Sequence, residues 1–159
     1  MCGITGIVDL RNRRDPDRSL LRRMNDSIAH RGPDGEGEHH EPGVALGHRR
    51  LAIIDVATGQ QPLYNEDGSV VVVYNGEIYN FQSLIPELQA LGHVFHTKSD
   101  TEVIVHLYDR DGDRFVEDAW ARTERGPGLI EYDILNLETG KVQSKASYVH
   151  RLDDRLVLG

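Results

Sequence analysis

The sequence predicts a single α+β domain, and three observations support this prediction. Runs typical of strands and amphipathic runs typical of helices both occur along the 159 residues. These runs do not follow each other in strict βαβ order, which disfavours a parallel doubly wound sheet. Hydrophobic residues make up 38% and charged residues 28%, a composition that is ordinary for one domain with a core.

Three segments are typical of β-strands. Residues 2–10 alternate apolar with small side chains, and residues 70–76 are strongly β-branched and end in an Asn-Gly pair that favours a turn. Residues 43–56 predict two strand pieces, with a break near residues 48–50.

The first helix is predicted just after residue 15. Asp15 is a suitable N-cap, Pro16 suits the first helical position, and Gly32 marks a stop. One face of this helix is apolar and carries Leu20, Leu21, Met24 and Ile28.

Two further helices are predicted in the second half of the chain. The first of them contains Pro86, so it either starts as late as Ser83 or kinks at the proline. The second opens with Ser99 and Glu102 at the spacing of a capping box. Gly112 is expected to end it.

The last part of the chain predicts a β-hairpin. After Trp120, a charged break that contains glycine and proline precedes two β-rich runs. The turn between these runs is expected at Glu138–Lys141.

Charge and cysteine content exclude several classes of function. The net charge of -8 disfavours broad phosphate binding, so no nucleic-acid partner is expected. The single cysteine cannot form an internal disulfide, and no long apolar run predicts a membrane span. No basic and apolar leader precedes Cys2, so a cytoplasmic location is expected.

The lone cysteine stands directly after the initiator methionine. Removal of Met1 would make Cys2 the N-terminal residue, with a free α-amine beside its thiol. With reference pKa values of about 7.7–8.0 for the amine and about 8.5 for the thiol, the amine can accept the thiol proton. The alternative, which position alone favours, is a small core residue in the first strand.

Three other stretches offer groups for binding or catalysis. Arg49 and Arg50 are adjacent, and an arginine fork suits a carboxylate; the alternative is a solvated edge charge. Asn75 and Gly76 offer two N–H donors for a developing oxyanion, or they form a plain hairpin turn. Asp100 offers a carboxylate for an ammonium group, or it is an acid favoured by a helix dipole.

No metal site is expected from the sequence. Residues 109–115 resemble a calcium loop, but Gly112 is misplaced and Trp120 stands where the bidentate glutamate should be. His93 and His96 flank a short apolar pair and are interpreted as structural or solvated residues.

Five stretches, taken together and in order, resemble a known family. They are MCGITGIVDL, AHRGPDGEG, LGHRRLAIIDVATGQQPLYNEDG, YNGEIYNF and SDTEVIVHLY. From Met1 to about Asp118 the chain looks like the glutaminase domain of asparagine-synthetase-type amidotransferases, which are class II glutamine amidotransferases with an N-terminal nucleophile. Within this family, the sequence is most similar to bacterial members linked to exosortase and exopolysaccharide systems.

This resemblance implies a role for each candidate residue. Cys2 matches the nucleophile that removal of the initiator methionine exposes, and Asn75 and Gly76 match the oxyanion donors. Glu77 matches a residue near the substrate amine, and Asp100 matches the residue that binds it. The residues that match the anchor of the glutamine α-carboxylate and the strand beside it are Arg50, Leu51, Ile53 and Ile54.

The resemblance also implies the fold and the reaction. The expected fold is a four-layer αββα sandwich, and the expected reaction is hydrolysis of L-glutamine to glutamate and ammonia through a Cys2 thioester. No cofactor is expected here, because ATP and magnesium belong to an asparagine-synthetase-like domain or subunit. That ATP-dependent synthetase is the implied partner, and a homodimer is left open.

The resemblance ends near residue 118. We therefore predict a glutaminase domain over residues 1–118 and a divergent tail over residues 119–159, whose hairpin completes the same domain. Two alternatives stay open. One is a catalytically impaired remnant that acts as a binding or interaction module, and the other is a plain structural α+β module with a buried cysteine.

Overall fold

The computed structural model describes residues 2–9, 11–115, 129–136, 141–152 and 155–158. The strands are β1 (Gly3–Val8), β2 (Gly35–Glu41), β3 (Val44–Arg50), β4 (Leu63–Tyr64), β5 (Val70–Asn75), β6 (Leu129–Asn136), β7 (Lys141–Leu152) and β8 (Arg155–Leu158). The helices are α1 (Arg18–Ser27), α2 (Phe81–Ala90) and α3 (Glu102–Asp111), with 3₁₀ turns at Ala29–Arg31 and Gly112–Arg114. Among the described residues, no helix has the length and apolar character needed to cross a membrane.

The strands form two antiparallel sheets. The first sheet has the order β1-β3-β2, and the second has the order β4-β5-β6-β7-β8. Every neighbouring pair of strands in both sheets is antiparallel. The absence of parallel strand pairs among the described strands agrees with the prediction against a doubly wound sheet.

Strand β5 is covered on both faces, which accounts for its unbroken apolar run. Val71 and Val73 pack between the two sheets, with residues of β3. Val70, Val72 and Tyr74 point the other way and pack with residues of α2 and α3. Because α1 contacts β1 and β3, the layers run α1, first sheet, second sheet, α2 with α3, and the predicted αββα sandwich is confirmed.

Helix α1 begins later than predicted. Its N-cap is Asp17, not Asp15, and the Asp17 side chain accepts hydrogen bonds from the backbone N–H groups of Ser19 and Leu20. These are free N–H groups of the first turn, so Asp17 is the carboxylate placed to satisfy them. The α-helix also ends before the predicted stop at Gly32, because a 3₁₀ turn precedes that glycine.

Helix α2 contains Pro86 and begins at Phe81, so the predicted alternative of a start at Ser83 is wrong. The helix packs Leu84 and Leu88 into the core beside β5, where both are fully buried. Burial of this apolar face outweighs the hydrogen bond that a proline removes from a helix interior.

Helix α3 ends at Gly112 as predicted, but its start differs from the prediction. The capping box of Ser99 and Glu102 does not form, since Thr101 is the N-cap and makes no side-chain capping bond. The Glu102 carboxylate instead accepts the backbone N–H groups of His96 and Thr97, each at 2.7 Å. A carboxylate that already holds the preceding loop is not available to a capping box.

The second strand piece predicted within residues 43–56 is absent, because β3 ends at Arg50 and residues 51–56 are irregular. The Arg50 guanidinium donates hydrogen bonds to the backbone carbonyls of Ile54, Asp55 and Val56. These carbonyls are turned toward one cation, so they do not form a strand ladder.

The divergent tail contributes strands to the second sheet. β6 pairs with β5 from Val70↔Asn136 to Asn75↔Glu131, and β7 pairs with β6. The predicted boundary near residue 118 lies outside the described residues. The predicted turn Glu138–Lys141 does so too, except for Lys141, which is the first residue of β7.

We propose that the tail completes the domain, and deletion of residues 119–159 tests this proposal. The deletion removes β6 and leaves β5 with an unpaired edge of six residues. Exposed edges of apolar strands template aggregation, so we expect the truncated chain to aggregate and the full chain to stay in solution. Light scattering and thermal unfolding measure the difference. A truncated chain that stays monomeric with an unchanged unfolding midpoint would show the tail to be an appendage.

Candidate active site

The candidate residues come together at one end of the sandwich. Cys2 precedes β1, whose first residue pairs with Arg49 near the end of β3. The ends of β3 and β5 are joined because His48 Nε2 lies 3.1 Å from the Tyr74 carbonyl oxygen. Asp100 lies just before α3 and is hydrogen-bonded to the segment that follows β5. The start of β1, the ends of β3 and β5, and the approach to α3 therefore form one region.

The Cys2 thiol is held by the backbone that follows β3. Its Sγ accepts a hydrogen bond from the Leu51 N–H at 3.3 Å and lies 3.7 Å from the Leu51 carbonyl oxygen. Cys2 is partly exposed and its side chain lies beside polar backbone. This environment differs from the buried core position that was the alternative explanation of the cysteine.

Arg50 is the buried cation of this region, with 6% of its surface exposed. Nη2 donates to the carbonyl oxygens of Ile54 at 2.9 Å and Asp55 at 2.5 Å, and Nη1 donates to that of Val56 at 3.2 Å. Arginine has five N–H donors. Within the described part of the chain, these bonds leave Nε and one N–H of Nη1 for a ligand.

Gly59 allows this arrangement, and the sequence analysis did not single it out. A Cβ on Gly59 would lie 2.8 Å from Arg50 Nη2 and 3.2 Å from the Ser99 Cβ. Any larger residue would therefore push the guanidinium away from the segment that leads to Asp100. This close approach places Arg50 and Asp100 on the same side of the site.

Asn75 and Gly76 end β5, as the sequence predicted. Asn75 is buried, with 4% of its surface exposed, and Gly76 is exposed. A Cβ on Gly76 would lie 2.6 Å from the Tyr74 ring carbon Cζ, so only glycine fits above this tyrosine. The backbone at Gly76 is thus open to a ligand on its solvent side.

Asp100 is a buried acid at the start of the segment that enters α3, with 4% of its surface exposed. Its Oδ2 accepts the backbone N–H of Ile78 at 2.8 Å. Burial raises the pKa of the Asp100 carboxyl above its ordinary value, the bond from Ile78 opposes this shift, and the charge of the exposed Glu77 adds to it. Two acids that disfavour each other's charge form a site that attracts a cation.

The residues that follow Arg50 do not all point into this region. Ile53 has 75% of its surface exposed, whereas Leu51 and Ile54 are partly buried. Leu51 contributes through its backbone contact with the thiol, and Ile54 contributes the carbonyl that Arg50 binds. The side chain of Ile53 has no comparable contact among the described residues.

The structure adds two residues that the sequence analysis did not select for the site, His48 and Tyr74. Burial lowers the pKa of His48 to about 4, so the imidazole is neutral at pH 7 and donates Nε2–H to the Tyr74 carbonyl. Burial, with the charges of Asp100 and Glu77, raises the pKa of Tyr74, whose hydroxyl stays protonated. Both side chains are fully buried, His48 on β3 and Tyr74 on the helix-facing side of β5. The only signal in the sequence is their position beside Arg50 and Asn75.

A solved structure has a similar fold. Glutamine phosphoribosylpyrophosphate amidotransferase from B. subtilis matches with a TM-score of 0.60 over 99% of this chain and 37% of that chain, at 20% sequence identity. At this identity the likeness shows the fold alone, and it agrees with the α+β sandwich described above.

Sequence relatives match about three quarters of the chain. Asparagine synthetase [glutamine-hydrolyzing] 2 of Bacillus subtilis is 48% identical over 120 residues, which are 74% of this chain and 16% of that protein. Asparagine synthetase [glutamine-hydrolyzing] 2 of Oryza sativa is 46% identical over 117 residues, 74% of this chain and 20% of that protein. The chain thus spans about a fifth of the length of these relatives. Residues 1–120 match the glutamine amidotransferase domain, and the chain belongs to this family.

Proposed function

We propose that this chain hydrolyses L-glutamine to glutamate and ammonia through a glutamyl thioester on Cys2. The observation that carries the proposal is the convergence of a thiol, a buried guanidinium, an Asn-Gly pair and a buried carboxylate at one end of the sandwich. L-glutamine has one group complementary to each: a carboxamide for the thiol and the Asn-Gly donors, an α-carboxylate for the guanidinium, and an α-ammonium for the acid.

The reaction begins with proton transfer within Cys2. Once Met1 is removed, the neutral α-amine takes the thiol proton, and the thiolate attacks the carboxamide carbon of glutamine. The side-chain N–H₂ of Asn75 and the backbone N–H of Gly76 stabilise the oxyanion that forms. The protonated α-amine of Cys2 gives this proton to the leaving nitrogen of the carboxamide, and ammonia departs as the thioester forms. Water, deprotonated by the same amine, then hydrolyses the thioester to glutamate.

The two ends of the amino acid are held by opposite charges. The free N–H groups of Arg50 bind the α-carboxylate, while other N–H groups of the same guanidinium keep residues 54–56 in place. Asp100 binds the α-ammonium, and Glu77 adds a second negative charge nearby. A bound ammonium favours the ionised form of Asp100 and offsets the cost of burying this carboxylate.

Arg50→Lys is expected to raise the KM for glutamine about tenfold, with a smaller change in kcat. A tenfold change corresponds to about 1.4 kcal/mol of binding. Lysine retains the charge but cannot hold three carbonyls and a carboxylate in one plane. The matched control is Arg49→Lys, because Arg49 pairs with Asp26 and Glu36 outside the site. If the KM for glutamine were the same in both variants, the assignment of Arg50 to the glutamine site would be wrong.

Asp100→Asn is expected to weaken glutamine binding while it maintains or raises the stability of the fold. An amide oxygen can accept the Ile78 N–H as the carboxylate does, and the substitution removes a buried charge. Because the folded-state pKa of Asp100 is raised, its ionisation costs stability at pH values above that pKa. The gain from substitution is therefore largest near neutral pH and fades as the pH falls toward the unfolded-state pKa.

The measurements are the KM for glutamine and the unfolding midpoint at neutral and acidic pH. The expected KM is at least about tenfold higher, equivalent to about 1.4 kcal/mol. A variant with unchanged KM, or one that is strongly destabilised at neutral pH, would contradict the assignment of Asp100 as the ammonium site.

We further propose that an ATP-dependent synthetase domain or subunit consumes the ammonia. The curated relatives are named as glutamine-hydrolysing asparagine synthetases, and this chain covers only about a fifth of their length. ATP and magnesium would act in that synthetase part, whereas the hydrolysis above uses only side chains, backbone groups and the α-amine of this chain.

The test of the proposed function is direct. The chain, shown by intact mass to begin at Cys2, is incubated with L-glutamine, and glutamate and ammonia are measured together. Equimolar release is expected, and a glutamine-like electrophile should label Cys2 once per chain and stop the release. A correctly processed, folded chain that neither releases glutamate nor becomes labelled would instead be the impaired remnant.

A further inference from the structure

Three metal-ligating side chains meet away from the candidate active site. Glu66 lies in the turn between β4 and β5, His93 follows α2, and His106 lies within α3. One ligand atom from each comes within 4.8 Å of the other two. Three separate elements of the outer helical layer and its sheet are thus joined at this point, which we call the Glu66-His93-His106 cluster.

Glu66 approaches both histidines of the cluster at separations close to those of ligands around one metal ion. Glu66 Oε1 lies 3.1 Å from His93 Nδ1, and Glu66 Oε2 lies 3.4 Å from His106 Nδ1. In a tetrahedral zinc site with bonds of about 2.0–2.1 Å, neighbouring ligand atoms are about 3.3 Å apart. Each histidine therefore lies at about the required separation from the Glu66 carboxylate, His93 from Oε1 and His106 from Oε2.

His106 supplies a second and independent observation. Its side chain is fully buried, yet neither ring nitrogen makes a hydrogen bond to any described residue. Nδ1 points toward Glu66, and Nε2 lies 3.8 Å from Glu102 Oε1, an oxygen that already accepts the His96 N–H. A buried imidazole without a hydrogen bond is costly and calls for a partner.

The cluster is closed on one side and open on the other. The Phe95 ring packs against His106 at 4.5 Å between centroids, and the His93 ring packs at 4.9 Å. The exposed fraction of the side chain is 13% for His93 and 30% for Glu66, so an ion and a water molecule can enter from solvent. Two imidazoles and one carboxylate are ligands that zinc prefers.

We propose that Glu66, His93 and His106 bind one divalent transition-metal ion of the zinc class, with water as the fourth ligand. From the sequence alone, no metal was expected and His93 was interpreted as structural or solvated. The site is independent of the proposed glutamine hydrolysis. Its ion would tie the β4–β5 turn and the end of α2 to α3, and so hold the segment that leads to Asp100.

The test is titration of the full-length, untagged chain with Co²⁺, followed by displacement with Zn²⁺. The chain used in both titrations carries Cys2→Ala, because the terminal amine and thiol of Cys2 would themselves bind these ions. We expect one saturable Co²⁺ site with the intense visible absorption of four-coordinate cobalt. Zn²⁺ should displace Co²⁺ and raise the unfolding midpoint.

Variants assign the ligands. His93→Gln is expected to weaken binding at least tenfold and to abolish the Zn²⁺-induced rise in the unfolding midpoint, since its side chain is at the open edge. Glu66→Gln should do the same. His96→Gln is the matched control, because this exposed histidine lies three residues from His93 and outside the cluster.

Two results would overturn the proposal. One is a folded chain with no saturable Co²⁺ binding. The other is Co²⁺ binding that His93→Gln and Glu66→Gln leave unchanged, which would place the ion elsewhere.

Discussion

A chain that retains Met1 is expected to release glutamate about 10²–10⁴-fold more slowly than a chain that begins at Cys2, the usual contribution of a positioned general base. With Met1 attached, the nitrogen of Cys2 is an amide and cannot take the thiol proton. Only a few per cent of an ordinary thiol is thiolate at pH 7. The added residue would also lie near the thiol, which the Leu51 backbone holds at the start of β1.

This comparison can be made within one preparation. The chain is expressed with a leader that a protease removes directly before Cys2, and glutamate release is measured before and after cleavage. Intact mass gives the fraction of molecules that begin at Cys2, and activity should rise in proportion to it. The control is the Cys2→Ala variant with the same leader. Removal of the leader from this variant should produce no glutamate release. Full activity in a sample with every leader still attached would exclude the N-terminal-nucleophile mechanism.

Asn75→Ala is expected to lower kcat for glutamine hydrolysis by about 10²–10³-fold, the usual effect of removing one oxyanion donor. The interaction forms mainly in the transition state, so the KM should change much less. Asn75 is the last residue of β5 and is buried, so its side chain is held in place before glutamine arrives. A donor fixed in advance costs no reorganisation during the reaction.

The control for this variant is Asn12→Ala, because Asn12 lies beyond the opposite end of β1 and bonds only with Asp9 among the described residues. Its kcat should match that of the unaltered chain. Circular dichroism and the unfolding midpoint verify that Asn75→Ala is folded. A loss that appears only as a higher KM would mean that Asn75 binds glutamine in the ground state and is not an oxyanion donor.

Local sequence patterns were sufficient for most of the secondary structure. The valine run at residues 70–73 formed a strand buried on both faces. The predicted amphipathic helix formed and buries Leu21, but Leu20 of the predicted apolar face is exposed and Ile28 lies beyond the helix. Such patterns are informative because apolar residues recur in the sequence with the repeat of the helix or strand whose buried face they form. The αββα layering was expected only from the resemblance to a family, since no local pattern specifies how layers stack.

Two of the incorrect predictions share one cause, a charged side chain that binds backbone groups four to six residues away. Glu102 had capping-box spacing, but its carboxylate holds the loop at residues 96 and 97. Residues 51–56 had strand-like composition, but the Arg50 guanidinium gathers their carbonyls. In both cases a charged side chain satisfied backbone groups that the local pattern assigned to regular structure.

The chemical types at the candidate site were readable in the sequence, whereas their proximity was not. A thiol at position 2 and an Asn-Gly pair after an apolar strand are local features. The contact between Cys2 and Leu51 joins residues 49 positions apart and depends on the β1–β3 register. Likewise, no pattern in the sequence related Glu66 to His93 and His106. Packing of α2 and α3 against the second sheet brought these three together, because burial of apolar faces, not the ligands themselves, sets where each element lies.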